Sequence, residues 1–241
     1  RNDALDFRSW WLDRVRDEHY DQGSANKDLG YIASMMRTVD MAWRLDLSLP
    51  FNGIRIAGEK HNARVAYEPE FVRTRILPGH ELGALNAEAR AVVRIVAATG
   101  MRPSEVVALK PSRIVIEADV PYVEIRPDDR QLKTDHSERD MPLVGLALAV
   151  MKEFREGFPR YRSSPDSFSA TANKALGAAG LRPTPDHTVY SLRHTFKDRL
   201  IALEVPERIQ DELMGHAIRE IKYGAGSGLR QRADWLAKVW G

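Results

Sequence analysis

Apolar positions at three-to-four spacing dominate the first fifty residues. Trp10, Trp11, Leu12 and Val15 fall in one amphipathic stretch, and Ile32, Met35, Met36, Val39, Ala42 and Trp43 in another. Two helices are predicted there. Leu49-Pro50-Phe51-Asn52-Gly53 breaks the pattern. Residues 54–78 carry no strong period and read as extended and polar, ending at Pro78-Gly79. A helix follows from about Asn86 to Ala98, with Val92, Val93 and Val96 on its buried side. Thr99-Gly100 stops it, and Pro103 suits the first turn of the next helix, where a missing N–H costs nothing. Three strand-like pieces come next, Ile114–Glu117, Tyr122–Arg126 and Arg139–Leu143, with Asp128-Asp129 and Asp135-His136 as turn residues. Helical spacing resumes at about 144–157, 166–179 (closed by Gly180), 188–203 and 206–214. A last helix, at about 229–240, sets Leu229, Ala233, Leu236 and Trp240 on one side. The pattern predicts a mainly α fold with a small antiparallel β-sheet. It divides into a helical domain at 1–53, a linker at 54–78 and a larger domain at 79–241.

Composition narrows the chemistry more than the shape. The 241 residues are 43% apolar, enough for real cores. Charged residues make up 29%, yet the formal net charge is only +2, and residues 1–75 hold 12 basic and 12 acidic side chains. Bulk charge therefore does not announce a nucleic-acid partner; only the arrangement of charges on the surface can. With no cysteine, disulfides, thiolate metal sites and cysteine nucleophiles are excluded. No apolar run approaches the ~20 residues of a membrane span, and the chain opens without a signal-peptide pattern. A start at Arg1-Asn2-Asp3 suggests a piece of a longer polypeptide, and a cytoplasmic location is expected.

Four polar segments then stand out: Arg102 in T-G-M-R-P-S-E, Lys133 in Q-L-K-T-D-H-S-E-R, Arg193-His194 in Y-S-L-R-H-T-F, and His216 in L-M-G-H. Arg102 lies between a helix-ending glycine and a helix-starting proline, beside backbone N–H groups that favour an anion. Its guanidinium adds a bidentate fork for phosphate oxygens, with Glu105 one turn on to hold it. Alone, the pair reads more readily as a solvated ion pair. Arg193 sits beside the apolar stripe Leu192, Phe196 and Leu200, so it must reach out or meet an anion. Lys133 flanks a predicted turn; it is a proton donor to a leaving alkoxide if its pKa is lowered, or a plain charged hairpin tip. His216 follows a capping glycine and suits a helix C-terminus as well as a site. Tyr223 is the only tyrosine after position 190. Its pKa near ~10 makes it a poor nucleophile unless nearby charge stabilises the phenolate.

Taken in order, these segments resemble the tyrosine recombinase (phage integrase) family. T-G-x-R-x-S-E matches Arg102 with Glu105 in support. K-T…R-x-x-P-L matches Lys133, Thr134, Arg139, Pro142 and Leu143. H-x-L-R-H-T matches Tyr190 to Thr195, L-G-H matches Met214-Gly215-His216, and the late tyrosine matches Tyr223. The resemblance runs from about Pro78 to the C-terminus. Less specifically, the N-terminal helices look like the family's core-binding, DNA-binding domain. The family implies a site-specific recombinase that cleaves and rejoins double-stranded DNA through a 3′-phosphotyrosyl intermediate. Tyr223 would be the nucleophile, Arg102 and Arg193 would stabilise the phosphorane, Lys133 would protonate the leaving 5′-oxygen, and His216 would bind the phosphate. No metal or cofactor is implied. Self-association on DNA as a dimer or tetramer is implied, with the last helix docked on a neighbour or packed in cis. So are a DNA-bending accessory protein and an origin in a prophage or mobile element acting at the bacterial nucleoid.

The sequence departs from the family pattern at two points. Tyr190 stands where histidine is usual, which makes it a phosphate donor rather than a base and leaves base duty to His194, His187, water or no group. The gap from His216 to Tyr223 is short. Three other readings remain open at this level: a type IB topoisomerase-like relaxing enzyme, a catalytically inert DNA-binding protein of the same fold, and an unrelated helical regulator.

Overall fold

The computed structural model describes residues 2–18, 20–47, 49–58, 65–128, 137–217 and 226–240. The chain divides into two compact units, Arg1–Ala63 and Arg64–Gly241.

In the first unit, helices α1 (Asn2–Asp17) and α2 (Gln22–Trp43) pack around Trp11, Ala25, Leu29 and Ile56, with Phe7, Val15, Phe51 and Ile54 partly buried against them. Asp21 caps α2 by accepting from the Ser24 N–H at 2.8 Å. Asn26 pins the returning chain: its Nδ2 donates to Ile56 O at 3.1 Å, and its Oδ1 accepts from Ile56 N at 2.8 Å. Beyond Leu29 the expected apolar stripe of α2 faces outward, with Met35, Val39 and Trp43 exposed.

In the second unit, a short helix α3 (Pro69–Phe71) runs into a π-helical turn, Val72–Ile76. This corrects the expectation of an extended linker at 54–78. Val72, Ile76 and Leu77 are core residues, but Arg73 and Arg75 between them mask the helical period. Ile54 and Ile56 join the first unit and Tyr67, Val72 and Ile76 the second. Helix α4 (Ala87–Thr99), capped by Asn86, is buried almost throughout and forms the central post of the unit. Around it stand α5 (Pro103–Val107), α6 (Gly145–Glu153), α7 (Pro165–Ala178), α8 (Ser191–Ala202), α9 (Glu207–Met214) and α10 (Leu229–Lys238).

Among the described residues the sheet is three-stranded and antiparallel, β1 (Ile114–Val115), β2 (Tyr122–Ile125) and β3 (Arg139–Pro142), in that order. Val123 pairs with Met141 and Ile125 with Arg139, so Val123, Ile125 and Met141 face the core on alternate positions. The strands are shorter than expected by one to two residues each. Helix α8 begins at Ser191 rather than 188, because Thr188–Tyr190 form the turn that leads into it.

Helix α10 packs against its own unit. Leu236 and Val239 join the core, Trp240 Nε1 donates to Ala97 O at 3.1 Å, and Arg232 Nη1 donates to Asp140 O at 2.9 Å. Among the described residues no helix is long and apolar enough to cross a membrane.

Candidate functional site

All the fully buried charge among the described residues collects in one place. Arg102, Glu105, Arg139 and Arg193 are the buried members of the Asp, Glu, Lys and Arg set, and hydrogen bonds join them to two helix ends. Helix α4 stops at Gly100, whose φ of +67° suits glycine. A Cβ there would come within 2.2 Å of Phe196, so α4 and α8 approach as closely as they do only because position 100 has no side chain. Arg193, reaching from α8, donates through Nη1 to the Gly100 carbonyl.

The end of α9 does more. Gly215 adopts φ +61° and closes the helix, leaving its last carbonyls without helical partners. Three consecutive carbonyls each accept from a different arginine. Leu213 O takes Arg139 Nε at 2.9 Å, Met214 O takes Arg193 Nη2 at 2.5 Å, and Gly215 O takes Arg102 Nη2 at 3.3 Å. Cations at a helix C-terminus are favoured by the orientation of its peptide dipoles. Strands, α5, α8 and α9 thereby converge on one turn.

Glu105 is the carboxylate at the centre. Its Oε2 accepts from the Arg102 backbone N–H at 2.9 Å, which closes the first turn of α5, and its Oε1 accepts from Arg102 Nη1 at 2.6 Å. Arg139 approaches the same two oxygens at 3.2 and 2.8 Å. Burial alone would raise the Glu105 carboxyl. Burial is the largest single influence, but Arg139, through charge and hydrogen bonding, outweighs it together with Arg102 and Arg193, and the group is held at about 2. Burial pushes the Arg193 guanidinium below its usual range; Glu105 draws it back up, while Arg102 and Arg139 push it further down.

His216 flanks this cluster, 3.4 Å from Arg193 Nη2 through Nε2 and 3.6 Å from Asp211 Oδ1 through Nδ1. Partial burial and the charges of Arg193, Lys197, Arg102 and Arg139 push its pKa down to about 4. At neutral pH the ring is therefore uncharged. A neutral ring whose Nε2 accepts from Arg193 carries its proton on Nδ1, facing Asp211.

Of the residues singled out from sequence, the structure brings Arg102, Glu105, Arg193 and His216 together. Tyr190 precedes α8, 36% exposed, and its ring meets His194 edge-on at 5.3 Å. His187 is a packing residue: Nδ1 lies 2.8 Å from Thr184 Oγ1 and accepts from Thr184 N at 3.2 Å, and Nε2 lies 3.2 Å from Ala66 O. With both ring nitrogens engaged, it drops out as a general base. Lys133 and Tyr223 lie outside the described residues, as do the expected turn residues Asp129, Asp135 and His136.

Two cluster members were not singled out as site residues. Ser137 Oγ accepts from Arg102 Nη1 at 3.2 Å, and Arg139 carries four hydrogen bonds in the cluster. For Arg139 the signal was present in the R-x-x-P-L wording; for Ser137 nothing distinguished it. Among the described residues there is no group of three His, Cys, Asp or Glu side chains placed to hold a metal ion.

A mostly helical fold with a small sheet, organised around a buried cluster with more guanidinium than carboxylate, is thus the class defined by fold and site together. Residues 74–221 match the phage integrase family, and the chain belongs to that family. Tyrosine recombinase XerC of Herpetosiphon aurantiacus is 30% identical over 142 residues, 53% of this chain and 44% of that protein. The chain thus spans less than half the length of this curated relative. Among solved structures, a lambda integrase dimer bound to a COC′ core site is similar with TM-score 0.64 and 17% identity, over 97% of this chain and 78% of that one. The Tn1549 transposon integrase in complex with transposon right end DNA is similar with TM-score 0.62 and 16% identity, over 96% and 80%.

Proposed function

We propose that this chain is the catalytic part of a site-specific recombinase that cleaves and rejoins double-stranded DNA through a covalent 3′-phosphotyrosyl link. One observation carries the reading: among the described residues, three buried guanidinium groups stand against one buried carboxylate. Buried charge without a counterpart is costly, and a phosphodiester supplies the missing anion. Among the described residues, Arg102 Nε is buried without a hydrogen-bond partner, which leaves one donor of the cluster unspent on the protein.

In the proposed reaction the Tyr223 phenol oxygen forms a bond to the scissile phosphorus as the bond to the 5′-oxygen breaks. Arg102 and Arg193 hold the non-bridging oxygens and offset the charge that builds on them. Lys133 gives its proton to the departing 5′-oxygen, and the phenol proton passes to His194 or to water. His216 and Tyr190 contribute hydrogen bonds to the phosphate. The phosphotyrosyl bond retains the energy of the original linkage, so another strand's 5′-hydroxyl reverses the step. Residues 1–53 serve as the DNA-binding core-binding domain and 79–241 as the catalytic domain, with the enzyme assembling on DNA as a dimer or tetramer, aided by a DNA-bending accessory protein.

One feature favours a second reading, a type IB topoisomerase-like enzyme acting as a monomer: helix α10 is packed on its own unit. Relaxation of supercoiled plasmid at low protein concentration, with no junction or exchange products, would select it. The chemistry common to both is tested by Tyr223→Phe on nicked duplexes that trap the covalent adduct. Loss of adduct with DNA binding retained is expected; full cleavage by the variant would overturn the assignment.

A further inference from the structure

Arg139 stands in β3, on a different element from the two arginines that the chemistry assigns to phosphate, yet it is the most fully engaged arginine of the cluster. Nε donates to Leu213 O at 2.9 Å, Nη1 to Ser137 O at 2.8 Å and to Glu105 Oε1 at 3.2 Å, and Nη2 to Glu105 Oε2 at 2.8 Å. Four of a guanidinium's five N–H donors are thereby used on the protein itself. Its plane lies over Gly215, where a Cβ would come within 2.5 Å of Nη1. The same carboxylate it grips is the one that holds Arg102, and the same turn it grips carries His216.

We propose that Arg139 is a positioning residue for phosphoryl transfer, fixing Glu105 and the Leu213–His216 turn so that Arg102, Arg193 and His216 present a single preformed cradle. This rests on the recombinase reading. Lysine is no substitute, because one ammonium cannot span both Glu105 oxygens and the Leu213 carbonyl as the planar fork does. Arginine therefore serves here for geometry rather than for charge alone. Misplacement by even about 1 Å costs on the order of 100-fold in rate, which sets the scale of the expected effect.

The test uses the full chain and a pool of random-sequence duplexes carrying single nicks. Arg139→Lys, Arg139→Met, Glu105→Gln and the double variant Glu105→Gln/Arg139→Met are compared for melting, DNA affinity and rate of covalent adduct formation at saturating DNA. Arg139→Lys is expected to melt as a folded protein and to bind DNA within about twofold of the parent. Its adduct rate should fall on the order of 10- to 100-fold. The double variant is expected to lose no more than the worse single variant, because both act through one carboxylate. Wild-type adduct rates in Arg139→Lys, or losses that multiply in the double variant, would overturn the proposal. If Arg139→Met fails to fold, Arg139→Lys decides. If the parent forms no adduct on any duplex, the recombinase reading fails by itself. Arg139 is then judged by the shift of the His216 ring resonances on adding inorganic phosphate. A weaker response in Arg139→Lys supports the positioning role, and an unchanged one refutes it.

Discussion

A histidine placed beside three arginines titrates in the opposite sense from one placed beside carboxylates. His216 ordinarily protonates near 6.5 and here near 4. Between those values the unfolded chain binds the proton and the folded chain does not, so stability rises with pH across the window and is lost as pH falls through it. Glu105 works lower down: depressed from 4.5 to about 2, its contribution is present above 4.5 and lost as pH falls towards 2. Histidine NMR should accordingly find His216 neutral at pH 5.5 in the free protein. On the proposed recombinase reading, a bound phosphodiester would cancel the surrounding positive charge, and the same ring should then protonate at higher pH with DNA present. A free-state value above 6 would contradict the electrostatics described here. Among single residues, Arg102, Glu105, Arg193 and His216 were legible in the sequence because each sits in a short local pattern. Arg139 was legible as a member of the R-x-x-P-L motif but not as a site residue, and Ser137 not at all, since their part depends on partners 34 and 35 residues away, Glu105 and Arg102.

At the level of elements, pattern reading succeeded where apolar spacing is uninterrupted, as in α4 with its row of valines and alanines. It failed at 69–76, where Arg73 and Arg75 point outward between Val72 and Ile76, so a single helical turn carries too few apolar positions to register. Helix α10 was legible as amphipathic, but its partner was not. An apolar stripe announces that burial occurs without saying against what. The structure buries it in cis, which has a measurable consequence. Leu236→Ala removes a side chain that is 2% exposed and should cost about 2–5 kcal/mol of stability. The drop in Tm should be the same at low and high protein concentration. A destabilisation that appeared only at concentrations favouring assembly would point to docking on another copy.

For the molecule as a whole, the two units have separate cores, one built on Trp11, Ala25, Leu29 and Ile56 and the other on α4 and its neighbours. The boundary at 63/64 lies inside the stretch expected to be a linker, and what made that stretch look unstructured was its division between two cores. A protein beginning at Arg64 is expected to fold alone, with one cooperative thermal transition and the circular dichroism of a mainly helical chain. Failure to fold would mean that the larger core depends on the first 63 residues.

The turn that ends α9 restricts what change the chain can absorb. Because Leu213, Met214 and Gly215 are engaged in strict succession, inserting or deleting one residue there would hand every guanidinium to the wrong neighbour at once. Length at this corner is thus as constrained as identity, whereas Glu207, the exposed residue at the far end of the helix, is open to variation. A library that randomises Glu207 should yield many working proteins, and one that changes the residue count at the turn almost none.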